Sequence, residues 1–213
     1  MHKQVNVRDC AEFIRAYLID IYSECSELFK KVDLVSPLSS SSQSITSALV
    51  RIVIMQMLSE KAANTIYTRV KKVAEENGKQ DWELSLEEYR QAGISQTKAE
   101  TIVRFADYYR ENERAVDNWR DLKEDDLIGE ITKHKGLGQW TASILALSHF
   151  GKEDVFPSND GILKKAIGLL KTNWGVELDP DKASPYRSYL AFYLWAMMDR
   201  GLLDLDKNYK ITD

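Results

Sequence analysis

The fold is decided by residues 127 to 147, which read Leu127-Ile128-Gly129-Glu130-Ile131-Thr132-Lys133-His134-Lys135-Gly136-Leu137-Gly138-Gln139-Trp140-Thr141-Ala142-Ser143-Ile144-Leu145-Ala146-Leu147. A helical pattern stops, two glycines flank one apolar residue, and a second helical pattern begins at once. The glycines permit a tight turn and a close approach of the backbone to another molecule. The first amides of the second helix lack helical partners, so they point outward and can hold an anion such as a phosphate. Taken alone, a bare helix–turn–helix corner without a ligand explains the turn equally well.

Outward from this hairpin the chain reads as helical nearly throughout. Residues 8–30 carry apolar residues at i, i+3, i+4 and i+7 and predict one amphipathic helix. Residues 31–44, with Pro37 and the run Ser39 to Ser42, predict an exposed connector. Residues 45–58 predict a helix buried on most sides, and a second follows from Glu60 to Glu76. Ser85 and Glu88 form a capping box for a short helix over Leu86 to Gln91. Ser95 caps the next, with Ala99, Ile102, Val103, Ala106 and Tyr109 on one face. Residues 124–134 predict a helix acidic at its start and basic at its end, as the helix dipole favours. The last long helix is predicted from Ser184 to Asp199. Hydrophobic residues make up 44% of the 213 and charged residues 29%, which excludes general disorder. Only four prolines and ten glycines occur, too few for the turns of an all-β chain. Two cysteines and three histidines without ligand spacing exclude a disulfide framework, a zinc finger and an iron–sulfur site. No secretory leader or spanning segment is visible, so an intracellular protein with no membrane partner is expected.

The second informative stretch is Asp154-Val155-Phe156-Pro157-Ser158-Asn159-Asp160-Gly161-Ile162-Leu163. Ser158 reads as an N-cap and Asp160 as a first-turn residue, where plain complementarity to the helix dipole accounts for it.

The two stretches together resemble the helix-hairpin-helix DNA glycosylase superfamily, and within it the 3-methyladenine DNA glycosylase II branch of compact alkylpurine glycosylases. Further blocks match in order. Leu49-Val50-Arg51 through Gln56-Met57-Leu58-Ser59-Glu60-Lys61-Ala62-Ala63 is similar to the family's Leu-Val-Arg…Gln-Gln-Leu-Ser-x-Lys-Ala-Ala block. Gly93-Ile94-Ser95-Gln96-Thr97-Lys98-Ala99 is similar to its Gly-Leu-Ser-x-x-Lys-Ala turn, and Pro185-Tyr186-Arg187-Ser188-Tyr189 to its Pro-x-Arg-Ser-Tyr helix. The resemblance covers residues 45 to 200.

The resemblance implies an all-α, two-lobed helical bundle with a DNA-binding cleft between lobes. Lobe A is expected at about 1–44 plus 172–213 and lobe B at about 45–171, with the hairpin at 127–147. It implies a monomer that binds double-stranded DNA with a damaged base or abasic site, alongside the chromosome in nucleus or cytoplasm. The implied reaction is hydrolysis of the N-glycosidic bond of a flipped alkylated purine such as 3-methyladenine or 7-methylguanine. Asp160 matches the family's catalytic aspartate, whose ionised carboxylate would stabilise an oxocarbenium-like sugar. Gly136, Leu137, Gly138 and Thr141 match the DNA-holding hairpin. Gln56 and Met57 match the turn that fills the gap left by the flipped base, with Ser59 and Lys61 beside it. Trp140, Ile144, Tyr189 and Trp195 are expected as base-pocket walls. The backbone carbonyls of Thr132, His134 and Leu137 match those that hold a sodium or potassium ion. No cofactor is expected for catalysis. Bifunctional relatives carry a lysine where this chain has Trp140, so a monofunctional hydrolase is implied.

The net charge of −4 opposes nucleic-acid binding by the whole surface. Residues 45–72, however, hold five basic residues against the single acid Glu60, a local net of +4, and residues 161–171 hold Lys164, Lys165 and Lys171 with no acid. A basic face on an acidic protein is expected, with salt-sensitive affinity. Departures from the family pattern fall at Ser44-Ile45 in place of Pro-Phe, at Met57, and at Ile144, where some relatives present a tyrosine. They leave open a non-catalytic binder of abasic or distorted DNA. A helical protein-interaction module is the third reading.

Overall fold

The computed structural model describes residues 6–204, and no strand occurs among them. Backbone contacts divide the chain into two units: residues 40–151, and residues 6–39 with 152–204. The expected lobe ends at 1–5 and 205–213 lie outside the described residues.

The unit 40–151 is organised by α3 (Ile45–Met55), eight of whose eleven side chains are buried, as its composition predicts. It packs against α4 (Glu60–Glu76), α6 (Gln96–Asp117) and α8 (Gln139–Ser148). Ser44 caps α3 by accepting the Ser47 N–H at 3.2 Å, so the Ser44-Ile45 departure has a structural use. The capping box of α5 (Leu86–Gln91) forms as predicted. The serine run does more than contact solvent: the Ser40 hydroxyl donates to the Phe150 carbonyl at 3.0 Å and the Ser41 amide to that of His149 at 2.7 Å, pairing carbonyls just past the end of α8.

The hairpin joins α7 (Glu124–Thr132) to α8. Leu137 is 2% exposed, so its side chain anchors the turn in the core while the flanking Gly136 and Gly138 stay at the surface. Gly136 has φ +94, and a Cβ there would lie 2.2 Å from Thr101 Oγ1 and 2.7 Å from Thr101 Cγ2. Thr101 cannot swing aside cheaply, because it is buried and its hydroxyl donates to the Thr97 carbonyl at 2.9 Å. Arg104 donates to the Lys135 carbonyl at 3.1 Å, and the His134 ring packs among Phe105, Tyr108 and Trp119, where burial pushes its pKa down.

In the other unit, α1 (Val7–Ile21), α2 (Ser26–Lys30), α9 (Gly161–Trp174) and α10 (Arg187–Asp199) surround a core including Leu18, Phe29, Leu163, Leu170, Leu190 and Leu194. The predicted helix 8–30 is broken by a 3-10 turn at Ser23–Cys25. Tyr22 stacks on Phe29 and donates its hydroxyl to the Asp179 carbonyl at 2.8 Å, a long-range bond that the unbroken apolar periodicity cannot show. The last helix starts at Arg187 instead of Ser184, after a 3-10 turn at Pro180–Ala183 and Pro185. The unit boundary is also corrected. Residues 152–171 belong with the terminal segments, because Leu163, Ala166 and Leu170 of α9 bury in their core.

The Arg187-Ser188-Tyr189 block holds residues 152–155, the approach to Asp160. Arg187 Nε donates to Asp154 Oδ1 at 2.8 Å and Nη2 to the Asp154 carbonyl at 3.0 Å. Ser188 Oγ bonds the carbonyls of Lys152 and Val155 and accepts the Val155 N–H. Against its partial burial, the Arg187 and Ser184 bonds hold the Asp154 carboxyl below its ordinary pKa.

Two outcomes follow. Gly136→Ala is expected to destabilise by about 2–4 kcal/mol through positive φ and overpacking. Adding Thr101→Ala should recover about 1 kcal/mol or more in urea unfolding, and strict additivity would remove the steric account. Because the folded pKa of Asp154 is lowered, its contribution is present above the normal carboxylate range and is lost as pH falls through and below it. The stability gap between wild type and Asp154→Asn should therefore be larger at pH 7 than at pH 2.5. A pH-independent gap would contradict the ion pair.

Candidate functional site

The hairpin unit brings several expected residues together. Gly138 is the N-cap of α8 and offers no side-chain acceptor to the first-turn amides. Leu137, with its side chain buried, presents only backbone. Thr141 is also buried, and its hydroxyl accepts the Gln56 Nε2–H at 2.9 Å. Gln56 Nε2 reaches the Gly136 carbonyl as well, at 3.3 Å, tying the turn after α3 to the hairpin. Between Gln56 and Ser59 the chain projects Met57, which is 100% exposed and has φ +58. It is the one non-glycine residue with positive φ among the described residues, a conformation costing about 1 kcal/mol or more. Ser59 caps α4 through the Ala62 amide at 3.4 Å, and Lys61 is exposed in its first turn.

Trp140 and Ile144 stand four residues apart on one side of α8. Trp140 is half-buried and Ile144 is buried.

In the other unit Asp160, not Ser158, is the N-cap of its helix. Ser158 is exposed in a turn two residues earlier, out of reach of the helical amides. Asp160 Oδ1 accepts the Ile162 and Leu163 amides at 2.9 Å each, and the Trp195 indole N–H from α10 at 3.2 Å. The carboxylate is 7% exposed and held at the positive end of α9. Trp195 packs edge-to-face on Phe192. Tyr189 is not a pocket wall. It is fully buried, its hydroxyl donating to Glu153 and accepting the Leu38 amide at 2.9 Å. Its place on an almost wholly buried helix explains this, since α10 turns most of its faces inward.

Sequence reasoning assigned no role to Lys98, although it lies in a quoted block. Its Nζ donates to the carbonyls of Ile54 and Gln56 at 2.9 and 2.7 Å. The signal was the lysine in Gly93-Ile94-Ser95-Gln96-Thr97-Lys98-Ala99, but its target lies 44 residues away.

No protein-family model matches the chain. DNA-3-methyladenine glycosylase 1 of Schizosaccharomyces pombe is 28% identical over 166 residues, covering 69% of each chain. The alkylbase DNA glycosidase-like protein mag2 of the same organism is 24% identical over 194 residues, covering 84% of this chain and 90% of that protein. Among solved structures, the S. pombe 3-methyladenine DNA glycosylase in complex with abasic DNA aligns with TM-score 0.74 at 24% identity, covering 88% and 97% of the two chains. A DNA-3-methyladenine glycosidase from Bacillus halodurans aligns with TM-score 0.63 at 25% identity, covering 88% and 91%. The chain thus shares the all-helical fold of these solved 3-methyladenine DNA glycosylases, and it is similar in sequence to DNA-3-methyladenine glycosylase and alkylbase glycosidase-like proteins over two thirds or more of its length.

Proposed function

We propose that the protein is a monofunctional DNA glycosylase that hydrolyses the N-glycosidic bond of an alkylated purine in duplex DNA. The observation that carries this reading is Asp160, a carboxylate gripped by two backbone amides and an indole N–H. Such a group is prepared before substrate arrives and needs no reorganisation during reaction. As the bond from C1′ to the base breaks, the electron pair leaves with the base and positive charge develops on the sugar. The Asp160 carboxylate stabilises that charge, and water completes the hydrolysis at C1′. An alkylated purine already carries positive charge, so it leaves readily and stacks on an aromatic face such as Trp195 or Trp140. With Trp140 in the position of the lyase lysine, no Schiff base forms.

Gly136, Gly138 and the first amides of α8 would hold the DNA backbone, with Met57 filling the vacated stack. A sodium or potassium ion would add a positive bridge to a phosphate. The His134 carbonyl accepts the Leu137 amide and keeps a second lone pair that such an ion could use. Thr132, His134 and Leu137 would be its ligands.

Asp160→Asn keeps an equally good N-cap, so folding should be retained. Release of 3-methyladenine or 7-methylguanine from alkylated DNA should fall on the order of 10²–10⁴-fold, with abasic-DNA affinity preserved. If wild type releases no base above background yet binds abasic DNA, the protein is a binder and not a hydrolase.

Gly138→Asp separates DNA binding from folding. A Cβ at Gly138 meets nothing within 4 Å, and aspartate there would cap α8. Thermal stability should hold or rise slightly, while duplex affinity falls about tenfold or more because a carboxylate occupies the phosphate-holding amides. Unchanged affinity in gel-shift titration, or affinity insensitive to salt, would favour the protein-interaction reading.

A further inference from the structure

Resting on the glycosylase reading above, we propose that Lys98 is a positioning residue that holds Met57 in its projecting conformation and ties that conformation to the DNA-gripping hairpin. The last carbonyls of any helix lack intrahelical partners. At the end of α3, Lys98 supplies two of them, donating to Ile54 and Gln56 on either side of the last residue of the helix. Lys98 is itself half-buried, so these charge-assisted bonds form away from bulk water. Its ammonium is thereby committed to the protein backbone rather than offered to a phosphate.

The Gln56 main chain is held by Lys98, and its side-chain amide is held by Gly136 and Thr141 of the hairpin. The chain therefore enters Met57 from a residue fixed at both ends. It leaves through Leu58, whose amide returns to the Met55 carbonyl at 3.1 Å, and through Ser59, which caps α4.

Packing does not hold this turn. Met57 is fully exposed, Leu58 is 40% exposed, and Leu58 borders an open pocket of about 140 Å³ that Ile54, Ile66, Ile94 and Lys98 also line. A non-glycine residue in the left-handed conformation is unfavourable in the free protein. The polar bonds of Lys98 and Gln56 are what oppose its relaxation. In this arrangement the hairpin's grip on the backbone and the insertion of Met57 share one rigid frame.

The experiment uses the full chain and two short duplexes, one undamaged and one carrying a tetrahydrofuran abasic analogue beside 2-aminopurine. On binding, wild type should change the 2-aminopurine fluorescence and prefer the abasic duplex, and Met57→Gly should lose most of both. Lys98→Met is expected to keep affinity for undamaged DNA within about threefold, lose most of the fluorescence change, and lower the abasic preference about tenfold. Lys98→Arg should restore at least half of the response. Lys98→Met combined with Met57→Gly should be no worse than Met57→Gly alone, as required of residues acting through one element. If Lys98→Met proves unfolded by circular dichroism, Gln56→Leu tests the same frame from the hairpin side and should give the same loss.

A wild-type fluorescence change with Lys98→Met or Gln56→Leu overturns the inference. So does an equal loss of affinity for both duplexes, which would make Lys98 a phosphate contact. A wild-type protein with neither fluorescence response nor abasic preference instead overturns the glycosylase reading on which this rests.

Discussion

Every α-helix ends with four amide hydrogens and four carbonyls that its own backbone cannot pair. In an all-helical protein these groups are the strongest polar features the main chain can present, and this molecule builds its candidate sites from them. The first amides of α9 are taken by Asp160, which thereby becomes a fixed, nearly buried carboxylate. The first amides of α8 follow a glycine cap with no side chain to offer, which suits them to an external anion. The end of α3 is met by Lys98, and the residue just beyond it is the exposed Met57. One constraint, the unpaired helix end, is resolved in three chemically different ways.

The same logic reconciles an acidic chain with the nucleic-acid ligand proposed for it. Backbone amides and a helix dipole supply positive potential without lysines. The surplus positive side chains gather over residues 45–72, where Arg51, Lys61, Arg69, Lys71 and Lys72 are all exposed, with Met57 in the middle of the segment. The acids concentrate elsewhere, as in the first turn of α7.

Much of this was legible beforehand because it is local. The burial of α3, the Ser85–Glu88 capping box and the glycine turn each depend on residues a few positions apart. The placing of Asp160 at the start of a helix is legible too, but the local pattern points to Ser158 as the cap where the structure has Asp160. The approach to this helix, residues 152–155, is held by Arg187 and Ser188, more than thirty residues away. Tyr189 looked like a stacking wall because an aromatic residue has the same letter whether it faces a ligand or the core. The break at Tyr22 was invisible because the apolar period runs through it unbroken.

The amino-acid order alone determined where helices start and stop, which glycines turn, and which short polar residues stand at the ends. Those outcomes follow from propensity, periodicity and capping within one or two turns. Only the tertiary structure decided which carbonyls Lys98 meets, that Gln56 spans to the hairpin, that Tyr189 is core, and that α9 joins the terminal segments. These depend on contacts between residues far apart in the chain, and no local pattern encodes which distant group will fill a given space or pair a given helix end.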